Sequence, residues 1–309
     1  MSAPVALRSS YSDLFGADML PVLEEIFRSE LERHPNKREE LFKTVTTDRD
    51  IWQATELHDM PLHAIVGEGE NYSFSRPKQG ASKTLSVVKY GLGFSISEEA
   101  VEDGKFDMIA DAIQKMAKSA LETQEISAMN VLNNGFSSEL AADGLSVINA
   151  AHTLPSGLTF RNTLSTQADL SQSSLDQALT DFETQFVGDS GIVYRSMPKI
   201  LLVHPSLRRY AMELVGSDLK PDTANNNLNS IKSEGIKVVS SPHLTDTDAW
   251  FLLADKSETG LRIVNRMGIV TKASDDAVGF MNDSIFYKSK YREIIGVTHA
   301  YGVFGSSGA

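Results

Sequence analysis

A chain of 309 residues, 41% hydrophobic and 23% charged, carries enough apolar material for about two domains with a sizeable core. It has no cysteine, which excludes disulfides, thiolate metal sites and a cysteine nucleophile, and its net charge of −12 without a basic tail argues against tight binding to nucleic-acid phosphates. No apolar core of signal-peptide length opens the chain and no apolar run approaches a membrane span, so synthesis and retention in a cytoplasm are expected.

Residues 1–17 are small and polar with scattered apolar side chains and read as an extended or mobile arm. Leu20, Leu23, Ile26, Phe27 and Leu31 then share a helical face, with Pro21 tolerated in the first turn and Pro35 as the stop. A second short helix is expected over 38–42 and short strands over 44–67. Residues 68–92 read as a projecting hairpin. Tyr72 and Phe74 alternate on one limb, residues 77–82 supply a Pro/Gly turn, and residues 85–90 return. Ser95 with Glu98 fits a capping box for a short helix over 98–103, broken at Gly104.

The stretch 107–132 has no Pro or Gly. Ile109, Ile113, Met116, Ala120, Leu121, Ala128 and Val131 recur every three or four residues, which predicts a helix about 40 Å long, ended by Asn133-Asn134-Gly135 with a left-handed residue. Asp143-Gly144 is a turn pair, with a strand expected over 145–148. Residues 155–173, rich in Ser, Thr, Asn and Gly, mark a domain boundary. Beyond it come a helix over 174–187, a strand over 199–203, a helix to Val215, a polar loop over 218–229, and apolar strands over 235–240 and 250–254. This alternation describes a small α/β domain. From Leu261 onward the chain has strand character. The longest run is 284–297, with Ile285, Tyr287 and Tyr291 on one face and Lys288, Lys290 and Arg292 on the other.

Catalytic and ligand-binding signals are sparse. Gly188-Asp189-Ser190-Gly191 matches the nucleophile segment of trypsin-like serine proteases, and Ala151-His152 echoes their histidine segment, but a helix runs straight into the motif and the spacing between them is short. A helix-to-strand turn rich in Gly, Asp and Ser is the better account of it, so a hydrolase using Ser190 is kept only as a rival. His58 and His63 lack the spacing of paired metal ligands, Asp218 and Asp222 sit in no ordered calcium loop, and no phosphate-binding glycine motif occurs.

The order of elements resembles the major capsid proteins of tailed bacteriophages, the fold named after the Hong Kong phage ninety-seven, and most of all the Mu-type major head subunits. The likeness is carried by Ile26-Phe27 through Leu41-Phe42-Lys43-Thr44-Val45, by Lys89-Tyr90-Gly91-Leu92-Gly93-Phe94-Ser95-Ile96 with Glu98 and Ala100-Val101-Glu102-Asp103, and by Ala151-His152 and Asn162-Thr163-Leu164. Leu219-Lys220-Pro221 with Thr223-Ala224-Asn225-Asn226, residues 246–253, Tyr287-Lys288, Tyr291-Arg292 and Gly302-Val303-Phe304-Gly305 complete it. The resemblance implies an α+β fold: N-terminal arm and start of a peripheral domain (1–62), extended hairpin loop (63–93), peripheral domain with a spine helix (94–163), α/β axial domain (164–261) and return strands (262–309).

It further implies a virion protein assembled in the host cytoplasm. Its partners would be other copies, as pentamers and hexamers of an icosahedral shell, together with a scaffold or maturation protease, a portal protein and the packaged double-stranded DNA, touched non-specifically. No catalysis and no cofactor are implied. An encapsulin-like compartment for protein cargo is the nearest rival. Two sets of residues are expected at subunit contacts. The basic hairpin residues Arg76, Lys78, Lys83 and Lys89 would dock on a neighbour's acidic spine start, with Glu98, Glu99, Glu102, Asp103 and Asp107, and with apolar help from Leu85 and Val87. Asp218, Asp222 and Asn225 would lie near a capsomer axis.

Overall fold

The computed structural model of the chain describes residues 20–34, 36–97, 99, 103, 106–219, 228–273 and 284–308. Helix α1 (Leu20–Arg33) is followed by the single turn α2 (Arg38–Leu41), then β1 (Lys43–Thr46), β2 (Ile51–Leu57), β3 (Gln79–Ser86) and β4 (Val88–Ser97). The long helix α3 runs Phe106–Asn133. The short pair β5 (His152–Thr153) and β6 (Thr159–Phe160) precedes α4 (Gln172–Thr184), β7 (Ile200–Val203), α5 (Arg208–Gly216), a 3-10 turn (Ser230–Glu234), β8 (Lys237–Ser240) and β9 (Trp250–Leu253). Strands β10 (Leu261–Ala273), β11 (Ser284–Val297) and β12 (Val303–Ser306) complete the order.

Every residue of the apolar stripe on α3 named from periodicity is buried, and the helix divides its stripe between two cores. Its first half (Ile109, Ile113, Met116) packs with Leu23 and Phe27 of α1 against Ile96 and Tyr287 of the sheet β1-β10-β11-β4. Its second half (Ala128, Met129, Leu132) reaches Leu202, Phe251 and Leu253 of a second sheet, ordered β12-β9-β7-β8. The other face of that sheet, with Leu201, Val203, Trp250 and Leu252, is covered by Leu175 and Phe182 of α4 and Leu214 of α5. Burial on both faces explains why β7 and β9 read as unbroken apolar runs rather than alternating ones.

Polar groups fix the joint between α2, α3 and the long sheet. The Arg38 guanidinium donates to Glu293 at 2.8 Å, with side chains only 6% and 2% exposed. The Gln124 amide donates to the second Glu293 oxygen at 3.2 Å. Burial pushes the Glu293 pKa upward against the pull of Arg38.

Several local expectations are corrected. Gly135 does not have positive φ: after Asn133 the chain continues in right-handed turns, with Ser138 N–H donating to Asn134, while the Asn133 side chain is tied to His243 and Thr245. Residues 145–148 form no strand, because their backbone groups serve the turn around Gly144 and the contacts of Val147 to Glu139 and Ile148 to Gly135. Ser95 lies within β4, paired with Phe286, and Glu98, its expected capping partner, lies outside the described residues. Helix α4 starts earlier than expected because Ser171 and Ser174 form a reciprocal capping box. The α/β sheet also recruits β12 from the end of the chain. The arm over 1–17 lies outside the described residues.

Two outcomes test this packing. Arg38→Ala leaves a buried carboxylate without its cation and is expected to cost about 3–5 kcal/mol in denaturant unfolding, whereas Arg38→Met with Glu293→Gln costs less. His299 keeps part of its ring at the surface, but its Nδ1 is enclosed without a partner; burial, and then Arg262, lower its pKa to about 4. The unfolded chain takes up this proton below about 6.5 and the folded chain only near 4. Stability is therefore expected to fall as pH drops through that window, by at most about 1.4 kcal/mol per pH unit. Glu56, Glu139 and Glu293, raised by burial, act in the opposite sense. The difference between wild type and His299→Asn at pH 7 and pH 5 isolates the histidine.

Candidate functional site

The projecting element is built differently from the expected hairpin. Its strands are β2 and β3, antiparallel with Ile51 opposite Ser86 and Leu57 opposite Gln79. Of the residues expected to turn, 77–82, the last four are inside β3, and Tyr72 and Phe74 lie on the strand-free connection 58–78. The β-branched and aromatic residues of β2 find a partner in β3, while Tyr72-Ser73-Phe74 has no strand opposite it. On the connection Ile65 is 100% exposed, Phe74 94%, Leu62 76% and Tyr72 73%. A monomer gains nothing by holding such side chains in water.

The root of the loop, in contrast, is fastened to its own subunit. Leu85 is 6% exposed and fills the space over Gly296, where an added Cβ would lie 2.8 Å from its Cδ2. The Lys83 ammonium donates to the Leu140 carbonyl at 2.8 Å. The His58 N–H donates to the Lys78 carbonyl at 3.0 Å. At the far side Asp59 accepts the Ser190 N–H at 3.2 Å and also the Ser190 hydroxyl. The Gly188-Asp189-Ser190-Gly191 segment is a tight turn, Gly191 at φ +81°, closed by a bridge between Val187 and Val193. Asp189 accepts the Ser156 N–H at 2.7 Å. An added Cβ at Gly188 would collide with the Asp59 carboxylate, so the turn and the loop root are in close contact.

This geometry does not join Ser190 to a histidine. His152 is buried, stacked on Phe160 with centroids 4.7 Å apart, and its Nδ1 is bound to Asp143 at 2.6 Å. The motif serves as a clasp. Among the described residues no group of three or more His, Asp or Glu is placed to hold a metal.

The expected contact residues scatter. Arg76 and Lys78 are exposed on the connection, but Lys83 and Leu85 are committed to their own chain. Lys89 is not on the loop: it belongs to β4, opposite Arg292. Nor is the loop all-basic, because β2 and the connection bring in Glu56, Asp59, Glu68 and Glu70. Glu99, Asp103 and Asp107 are exposed at the start of the spine, with the Asp103 N–H bonded to the Glu99 carbonyl, while Glu98 and Glu102 lie outside the described residues. Asp218 is paired with Lys232, and Asn229 pins the loop base by donating to Leu214 and Ser217. Asp222 and Asn225 lie outside the described residues. The Asp59–Ser190 clasp was missed, since nothing in either local sequence marks a pairing across 131 positions.

Asp59→Ala is expected to raise amide exchange of the 58–60 backbone several-fold while the global unfolding midpoint stays within ~0.5 kcal/mol of wild type, as read by exchange mass spectrometry and denaturation.

A family model described as phage capsid protein matches residues 80–305. No curated protein matches the sequence. Among solved structures, a chain of Microbacterium phage Oxtober96 is 13% identical with a TM-score of 0.58, the match covering 89% of this chain and 92% of that one. The capsid structure of the cyanophage P-SCSP1u is 11% identical with a TM-score of 0.57 over 86% of each chain. A virus-like particle from Pyrococcus furiosus is 11% identical with a TM-score of 0.56, over 94% of this chain and 100% of that one. The mixed helix-and-strand fold is the one found in these solved structures.

Proposed function

Because the chain belongs to the phage capsid protein family, we propose that it is the major head subunit, closing as pentamers and hexamers into an icosahedral shell around double-stranded DNA. It is a structural capsid protein and a component of the virion. The observation that carries the assembly reading is the loop 58–78, whose apolar side chains stand bare beyond a root fastened to its own subunit. In this reading β2, β3 and their connection are the extended loop, α3 is the spine of a peripheral domain, and the sheet β12-β9-β7-β8 with α4 and α5 is the axial domain. The loop based on Asp218 and Asn229 faces a capsomer axis. The likeness to Mu-type head subunits supports host-cytoplasmic assembly with a scaffold or maturation protease and a portal protein.

The subunit works by contact and carries out no reaction. Ser190 and His152 are engaged by separate carboxylates, Asp59 and Asp143, which supports that reading. An encapsulin-like compartment would have the same fold; the family match favours the phage head.

Purified protein is expected to show closed shells or capsomer rings in negative-stain images. Replacing residues 61–77 with a short Gly-Ser link is expected to leave a soluble subunit with the wild-type unfolding midpoint that forms no shells. Shells of normal size and yield from that variant would sink the assembly role of the loop.

A further inference from the structure

The outward face of the long sheet carries a charge pattern that the shell reading leaves unexplained. Along β11, Tyr287, Ser289, Tyr291 and Glu293 are buried, so the alternate positions Lys288, Lys290 and Arg292 point away from α3. The register places Lys272 of β10 opposite Lys288 and Lys89 of β4 opposite Arg292. Five cations thus share one face in a chain with 41 acids and 29 bases. Their neighbours on that face include Phe286, Met267, Val270, Gly91, Gly93 and Ser95, with no carboxylate among them, and none of the five forms an ion pair among the described residues.

The face is also recessed. Gly91 stands opposite Lys290 and Gly93 opposite Lys288. An added Cβ at Gly93 would lie 3.3 Å from the Lys288 Cβ and 3.1 Å from the Tyr287 carbonyl. The missing side chains leave a trough of about 580 Å³ lined by Lys89, Lys288 and Lys290. Partial burial, and then the four surrounding cations, hold Lys290 below its ordinary pKa, a sign that the cluster repels itself until an anion arrives. Strand β4 is the sheet edge, so the trough is open on that side among the described residues.

Resting on the shell reading, we propose that this trough receives the acidic start of α3 from a second copy of the chain. Glu99, Asp103, Asp107 and Asp111 are exposed there. Asp107 and Asp111 are one turn apart, a rise of about 6 Å on a helix, and alternate cations on β11 are spaced about 6.6 Å. The contact cannot be made within one subunit. Helix α3 packs by Ile109 and Ile113 on the inner face of this same sheet, so the sheet itself separates the acids from the cations. A head-to-tail contact between copies, each presenting both halves, removes that barrier and generates rings. A nucleic acid would also satisfy the cations, but a wall of subunits each at −12 repels a long polyanion, whereas a few carboxylates match a five-cation trough.

The test is a charge exchange. Lys288→Glu with Lys290→Glu is expected to keep the wild-type unfolding midpoint and lower shell yield at least tenfold by sedimentation and negative stain. Asp107→Lys with Asp111→Lys is expected to do the same. The chain carrying all four substitutions is expected to recover shells, and Lys288→Arg with Lys290→Arg to assemble normally. Wild-type yield from the first variant would overturn the proposal. So would normal shells that have lost only bound nucleic acid, an outcome assigning the trough to that ligand, and so would a four-substitution chain that stays unassembled. Wild type that forms neither shells nor rings would overturn the shell reading and this contact with it.

Discussion

Helix α3 is longer than any single core of this molecule can cover. At 28 residues it spans roughly 42 Å, and its apolar stripe continues almost to both ends. The long sheet alone covers the first half, and both sheets meet over the second, where Ile263, Ile295 and Val297 join Leu202, Phe251 and Leu253. The buried Arg38–Glu293–Gln124 junction sits where α2, α3 and the long sheet meet, and its polar partners allow little sliding there.

The loop follows the opposite logic. Its root is held by three unlike contacts: apolar Leu85 over Gly296, Lys83 on a backbone carbonyl, and Asp59 on the Ser190 turn. Its connection carries large apolar side chains that nothing in the chain covers among the described residues. Anchoring the root restricts the conformations open to the connection and so lowers the entropy that any contact made by it would cost. The Gly-Asp-Ser-Gly turn, which has a protease-like composition, belongs to that anchoring. Its glycine adopts φ +81° and its serine hydroxyl is spent on a carboxylate.

Charge is distributed as unevenly as apolar surface. The net −12 is an average over an acidic helix start and a basic sheet face that lie on opposite sides of one sheet. Like charges crowded into each patch repel one another in the monomer, and salt screens that repulsion over a length of about 8 Å at physiological strength. The topology keeps the two patches apart, since the sheet lies between them within one chain.

Helices and their buried faces were legible in the sequence alone. The seven apolar positions of α3 are all buried, α1 lies where its spacing puts it, the helix expected to reach Val215 ends at Gly216, and the alternation along β11 correctly divides Tyr287 and Tyr291 from Lys288, Lys290 and Arg292. These depend on periods of 3.6 and 2, which are local. The order of elements, too, was enough for the capsid resemblance. Strand partners were not legible. Nothing near Ile51–Leu57 says that it pairs with Gln79–Ser86 across a strand-free stretch, that β12 completes a sheet begun a hundred residues earlier, or that Lys89 leaves the loop to face Arg292. The site residues failed for the same reason. Lys83, Leu85 and Ser190 look free in the sequence, and each is claimed by a partner that only the folded chain brings within reach. Side-chain periodicity is set by neighbours along the backbone, whereas pairing is set by which distant surfaces must be buried together, and that is decided only when the whole chain packs.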